Sequence, residues 1–357
     1  MSEKSEESDF TYQEILRQQA GWKKAIVHWH SQNDALKSIV DKFKDRIWVF
    51  SGCGTSYYLA QTASFLFELI TGIRSLAVPA SEVLTYPEIV FNPKSNYLFI
   101  PLSRSGTTTE TVKAAEIARD LFDIPTFAIS CNSQSAMSTQ SQDRLEFPFE
   151  TERSVVMTGS FTTMLLSIIY LAAVAANDTD LLSQLNSIPD ASFALMTKNQ
   201  SLIQKIAANR LSQEFVFLGQ GPMLGIANEA SLKMQEMTIS VSHAFHALEY
   251  RHGPMSTATQ NTLICILCCQ PALRYEIPLV KDLKKLGANI LVFHSHSNGR
   301  FSDFTDYEIN IKDEFSDLLK PLLFMPLLQM LAYYRAKAKN INPDTPKNLS
   351  QVVELSL

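Results

Sequence analysis

An α/β architecture built on parallel sheets is the fold class this sequence predicts, and three observations carry it. Short apolar runs alternate with segments of helical periodicity, the pattern of parallel strands with helices on both faces. Two of the runs end in glycine turns that open directly into helices, at 51–56 and 219–221. Those two units repeat. Ile47-Trp48-Val49-Phe50-Ser51-Gly52-Cys53-Gly54 has the pattern of Phe215-Val216-Phe217-Leu218-Gly219-Gln220-Gly221, with Gly52 aligned on Gly219, Gly54 on Gly221 and Ala60 on Ala227. The chain therefore divides into a tail and helix at 1–34, a first doubly wound, flavodoxin-like half at 35–190, a second at 191–340 and a tail at 341–357.

In chain order, 1–9 is charged and reads as disordered. The segment 12–29 places Ile15, Trp22, Ile26 and Trp29 near one face of a helix, and 34–43 is a second helix. Strands follow at 46–50, 75–79, 97–101 and 126–130, with helices at 57–71 and 112–121. Helices at 160–176 and 193–208 lead to the second half. Its strands are 214–218, 263–268, 290–293 and 307–311, and its helices 223–238 and 276–286. A last helix spans 318–339. Pro321 suits its first turn and Pro326 predicts a kink. Asn342-Pro343-Asp344-Thr345-Pro346 cannot be helical throughout, and the tail reads either as a strap across a site or as surface.

With 46% apolar and 19% charged residues, 357 residues are ample for a core. The net charge of −5 and the lack of a basic stripe argue against nucleic acid. The run 164–176 is too short to span a bilayer and reads as a buried helix, so no membrane partner is expected. The polar start is not a signal peptide, and five cysteines, an odd count, fit a reducing cytoplasm. Cys265, Cys268 and Cys269 read as a buried strand, since no second Cys/His pair has zinc-ligand spacing; no metal is expected.

Two stretches carry chemistry. Leu102-Ser103-Arg104-Ser105-Gly106-Thr107-Thr108-Thr109-Glu110-Thr111 joins a buried strand to a helix. Taken alone it is an N-capped turn. Crowding hydroxyls around one glycine at a helix start makes it a seat for phosphate, because free N–H groups and the positive end of the helix dipole meet there. It lacks the Gly-Lys-Ser/Thr ending of a P-loop. The turn at 51–56 ends at the same sheet edge, so both can face one pocket. Gly52-x-Gly54 lacks the third glycine of a dinucleotide site, where Tyr57 stands, so no nicotinamide cofactor is expected.

The second stretch spaces Glu229, Lys233 and Glu236 on one helix face, with His252-Gly253-Pro254 shortly after. Such spacing alone is an ordinary solvated ion-pair face. Beside a glycine turn and a histidine it fits proton transfer between adjacent carbons and sugar-ring opening. His28, His30, His243, His246, His294 and His296 lack that context and read as structural or surface groups.

These residues resemble SIS (sugar isomerase) domains in tandem, from about residue 35 to the C-terminus. The motifs are Cys53-Gly54-Thr55-Ser56, Ser103-Arg104-Ser105-Gly106-Thr107-Thr108, Glu229-x3-Lys233-x2-Glu236 and His252-Gly253-Pro254. The pair resembles the isomerase half of glutamine–fructose-6-phosphate aminotransferase. By that resemblance Ser56, Ser103, Arg104, Ser105 and Thr108 line a sugar-phosphate pocket, with Cys53 and Thr55 in it. Arg104 stands where the aminotransferase has glutamine. Glu236 matches the carboxylate that moves a proton between C1 and C2, and Glu229 and Lys233 match its neighbours. His252 matches a ring-opening histidine contributed by a neighbouring subunit, which implies a homodimer with shared sites and no cofactor.

Two departures bear on the activity. About 45 residues precede the first strand and residue 2 is Ser2, so no glutaminase domain is expected. Gln351 stands where the aminotransferase has a Schiff-base lysine, and an amide cannot form that bond. The segments 12–19, 157–163 and 250–254 are similar to the galactosamine-6-phosphate deaminase/isomerase (tagatose-6-phosphate ketose/aldose isomerase) group and to the SIS-type glucosamine-6-phosphate deaminases. Their reactions need ring opening and a carboxylate but no lysine nucleophile. The resemblance therefore implies an amino-sugar-phosphate deaminase/isomerase or a plain ketose/aldose phosphate isomerase. A fructosamine-phosphate deglycase, an aminotransferase-like isomerase and a sugar-phosphate sensor are the alternatives.

Overall fold

A computed structural model describes residues 9–147, 151–295, 301–311, 314–352 and 355. The expectation for 1–9, save Asp9, and that for His296 lie outside the described residues. The first half comprises α1 (Phe10–His30), α2 (Asn33–Phe43), β1 (Ile47–Gly52), α3 (Thr55–Thr71), β2 (Ser75–Pro79), α4 (Ala80–Thr85), α5 (Pro87–Val90), β3 (Tyr97–Ser103), α6 (Thr109–Phe122), β4 (Phe127–Ser130), α7 (Ala136–Gln140), β5 (Asp143–Glu146) and α8 (Gly159–Ala176). The second comprises α9 (Thr179–Ala207), β6 (Glu214–Gly219), α10 (Met223–Thr238), β7 (Val241–His246), β8 (Thr262–Leu267), α11 (Leu273–Lys285), β9 (Asn289–His294), β10 (Tyr307–Asn310) and α12 (Lys320–Ala338).

All strand pairs are parallel. The sheet orders are β2-β1-β3-β4-β5 and β7-β6-β8-β9-β10, the same flavodoxin-like winding twice. The duplication read from the glycine turns is thus the duplication of a whole sheet. Gly52 ends β1 and Gly219 ends β6, and each central strand is buried almost throughout.

The structure adds elements and extends others. β5 and β7 are edge strands with mixed exposure, so neither shows the apolar run that marks the central ones. α9 starts at Thr179 and not near 193. Asp178 caps it by accepting from the Leu181 N–H, and the helix continues through Pro189. α12 likewise continues through Pro326.

The halves share a core. α8 is long and apolar enough to cross a membrane by length and composition, yet 89% of it is buried, packed against α1, α2, α3 and α9. Trp22, Trp29 and Trp48 are fully buried, and Trp48 stacks on Phe67 with centroids 4.4 Å apart. Burial of such side chains contributes on the order of 2–3 kcal/mol each. Cys265 is buried within β8, as the strand reading expects, and Cys268 and Cys269 are buried just past its end. The halves meet where α3 crosses α10. A Cβ on Gly225 would lie 2.3 Å from Thr62 Oγ1 and 2.5 Å from the Tyr58 carbonyl oxygen, so only glycine lets the helices come this close. That contact brings the start of α3 against the acidic face of α10.

Candidate active site

β1 and β3 are neighbours in the first sheet, with Ser51 opposite Pro101, and the winding reverses direction between them. The crevice at their carboxyl ends is where such sheets bind ligands. A cavity of about 250 Å³ lies there. The turns contribute Cys53, Thr55, Ser56, Ser103, Ser105 and Thr108 to its wall, and α10 contributes Glu236. A larger cavity of about 420 Å³, lined by Lys44, Arg46, Gly72 and Arg74, opens at the opposite end of β1 and lacks acid/base residues from α10.

The hydroxyl loop is held by its own hydrogen bonds. Ser103 Oγ accepts from the Gly106 N–H at 3.0 Å and lies 3.3 Å from Thr108 Oγ1. Ser105 Oγ accepts from the Thr107 N–H at 3.2 Å, and Asn132 Nδ2 donates to the Ser105 carbonyl. Neither Thr108 nor Gly54, the residues before α6 and α3, caps its helix with a side chain. Both helix starts therefore turn their positive ends toward the cavity with hydroxyls around them, an arrangement made for an anion.

Gly106 is fixed twice over. Its φ is +66°, and a Cβ there would lie 2.0 Å from Ser135 Oγ. Gly106→Ala is expected to displace the loop and weaken inorganic phosphate binding at least about tenfold, at a stability cost of about 1–3 kcal/mol. Calorimetric titration alongside urea unfolding checks this, and unchanged phosphate affinity would remove the loop from the site.

On α10, Lys233 and Glu229 are completely buried and Glu236 is 19% exposed. Lys233 Nζ pairs with Glu236, reaches Glu229 Oε1 at 3.3 Å and donates to Thr55 Oγ1 at 3.1 Å. Thr55 Oγ1 donates to Glu229 Oε1 at 3.2 Å, while Glu229 Oε2 has no partner among the described residues. Burial pushes the Glu229 carboxyl up to about 8 against the pull of Lys233. Burial alone would lower the Lys233 ammonium, but the two glutamates outweigh it and raise it. The cluster thus sets a buried carboxyl whose surroundings favour its proton beside a Lys233–Glu236 ion pair. Glu236 alone of the three faces the cavity. Burial also raises the Cys53 thiol, which keeps it protonated beside Thr111 Oγ1.

Two further expected site residues, Arg104 and His252, have partners of their own. Arg104 touches the cavity, but its guanidinium donates to Glu152 Oε2 at 3.0 Å, to the Val155 carbonyl at 2.9 Å and to the Gln351 carbonyl at 3.2 Å. His252 is exposed and lies outside the cavity wall. Its turn is anchored by buried Tyr250 and by the Arg251–Asp282 ion pair at 2.6 Å, which hold it at the surface.

The cavity has further walls: Glu110, Val155, Met157 and Leu232, and the tail from Leu349 to Val352. Glu110 was readable inside the hydroxyl motif. Leu232 stands on α10, and the others come from a loop and a tail without periodicity.

Two flavodoxin-like halves sharing one hydroxyl- and carboxylate-lined crevice define the class. The chain belongs to the SIS domain family, which it matches over residues 44–175 and 212–336. It is similar to the glutamine–fructose-6-phosphate aminotransferase (isomerizing) of Methanothermobacter thermautotrophicus, 26% identical over 356 residues, covering 99% of this chain and 58% of that protein. It spans about half the length of such aminotransferases. Against the D-galactosamine-6-phosphate deaminase AgaS of Escherichia coli it is 26% identical over 94% of this chain and 91% of that one. Among solved structures, glucosamine-6-phosphate deaminase from Thermotoga maritima matches with a TM-score of 0.78 at 28% identity, covering 97% of this chain and 99% of that one. Tagatose-6-phosphate ketose/aldose isomerase from Escherichia coli, at 24% identity, has the same fold with a TM-score of 0.86 over 98% of each chain.

Proposed function

We propose that this chain is a phosphosugar isomerase/deaminase that acts on an amino-sugar 6-phosphate. One observation carries the reading: Glu236, paired with Lys233, faces the cavity whose other wall is the hydroxyl loop. Ser56, Ser103, Ser105 and Thr108, with the starts of α3 and α6, hold the phosphate. Glu236 moves the proton between C1 and C2 of the open-chain sugar. Lys233 pairs with that carboxylate and so fixes its position, and Thr55 and Glu229 hold Lys233. His252 acts on the ring from the neighbouring subunit of a homodimer, in keeping with its exposure here. The setting is cytoplasmic, and the substrate brings its own nitrogen.

Supporting the deaminase side, Gln351 occupies the cavity wall where a Schiff-base lysine would be needed for amine transfer. The near full-length similarity to two amino-sugar-phosphate deaminases supports the same reading.

The test is ammonia release over a panel of glucosamine-, galactosamine- and fructosamine-phosphates. Release from one 2-amino sugar phosphate is expected. An amino acid released from a fructosamine phosphate would replace the reading with a deglycase. Binding without turnover across amino and plain sugar phosphates would leave a sensor.

A further inference from the structure

The C-terminal strap is fastened across the cavity at named points. Asp344 accepts from the Phe10 and Thr11 N–H groups and from Thr11 Oγ1, which ties the strap's root to the start of α1. At its far end the Leu355 N–H donates to Thr109 Oγ1, at the first residue of α6. Between them stands a clasp. Arg104 Nη2 donates to the Gln351 carbonyl and Gln351 Nε2 donates to the Glu152 carbonyl, each at 3.2 Å.

The clasp is rigid below. The Glu152 carboxylate is fully buried and accepts from Arg104 Nη1, from the N–H and hydroxyl of Thr158 and from those of Ser160. Burial would raise it, but Arg104 and these donors hold it below the ordinary carboxylate value. Both Arg104 Nη atoms thus aim at protein acceptors, and its charge is already neutralised by Glu152. An arginine so engaged has little left for a substrate phosphate.

We infer that Arg104 is a positioning residue: with Glu152 it fastens Gln351 and the strap over the phosphate seat, and does not itself bind the phosphate. This rests on the proposed sugar-phosphate reading for what the strap covers, though not for the clasp itself. Gln351, a position that supplies chemistry in the aminotransferases it resembles, here closes the cavity.

The experiment uses the full chain as wild type, Arg104→Met, Arg104→Lys, Gln351→Ala and the Arg104→Met/Gln351→Ala double variant. Trypsin cleavage after exposed Lys347 is followed by mass spectrometry, and inorganic phosphate binding by calorimetry. Arg104→Met is expected to speed cleavage about tenfold and to weaken phosphate about tenfold, with Gln351→Ala acting in the same sense and the double variant no worse than Arg104→Met. Arg104→Lys keeps the charge but loses the fork, so it is expected to cleave fast as well. With the sugar phosphate that the panel identifies, KM rises while kcat stays within about threefold. Weakened phosphate binding with cleavage unchanged, additivity in the double variant, or a wild-type Arg104→Lys would make Arg104 a direct ligand and overturn the inference. If wild type binds no phosphate, the functional reading falls, and the cleavage rates alone still decide the clasp.

Discussion

Glu236→Gln is expected to abolish turnover while phosphate binding survives. The substitution keeps the shape and removes only the ability to take a proton. General acid–base groups contribute about 10²–10⁴-fold, so kcat should fall by that factor. Lys233 is expected to remain in place, because Glu229 Oε1 and Thr55 Oγ1 still receive it. With Glu236 neutral, Lys233 faces one carboxyl and not two, so Glu229 should give up its proton to complete the pair. The check is steady-state turnover at saturating substrate beside a phosphate titration. Loss of phosphate affinity would mean that Glu236 shapes the seat, and activity within about tenfold of wild type would assign the proton transfer elsewhere.

What the sequence disclosed follows from where its signals are dense. The central strands β1, β3, β6 and β8 are buried on both faces and read as apolar runs, and the paired glycine turns revealed the repeat. The edge strands β5 and β7 carry neither signal. Val241 is exposed at the start of β7, so the strand looks like loop although it pairs along all of β6. Pro189 hid the first half of α9, since a proline is a poor sign of helix although a cap and a packed face can hold one. At the site, the α10 spacing was readable because a helix turns i, i+4 and i+7 into one face. The fate of Arg104 was not: its partners Glu152 and Gln351 lie 48 and 247 residues away. The burial that sets Glu229 apart from Glu236 was equally hidden, because it comes from α3, whose approach depends on Gly225.

That burial makes Lys233→Met the larger test of the fold. Lys233 is 0% exposed and stands between two carboxyls, and methionine matches its length and packing without its charge. Removing one partner of a buried ion cluster costs about 3–5 kcal/mol, because the charge left behind has no counter-ion. The pH dependence gives the loss its signature. Glu229 is already raised to about 8, so it holds a proton when folded and loses it when unfolded between the ordinary carboxylate value of about 4.3 and pH 8. Folding then binds protons, and stability falls as pH rises through that window. Without Lys233 nothing draws the Glu229 carboxyl back down, so burial raises it further and the fall in stability continues past pH 8. The gap between wild type and variant should therefore stay level up to about pH 8 and widen above it. Urea unfolding at several pH values measures it. A gap that is constant with pH would mean that Lys233 serves by packing alone. The expected widening would make its work electrostatic, consistent with an amine that lies behind the cavity wall, out of reach of a sugar carbonyl.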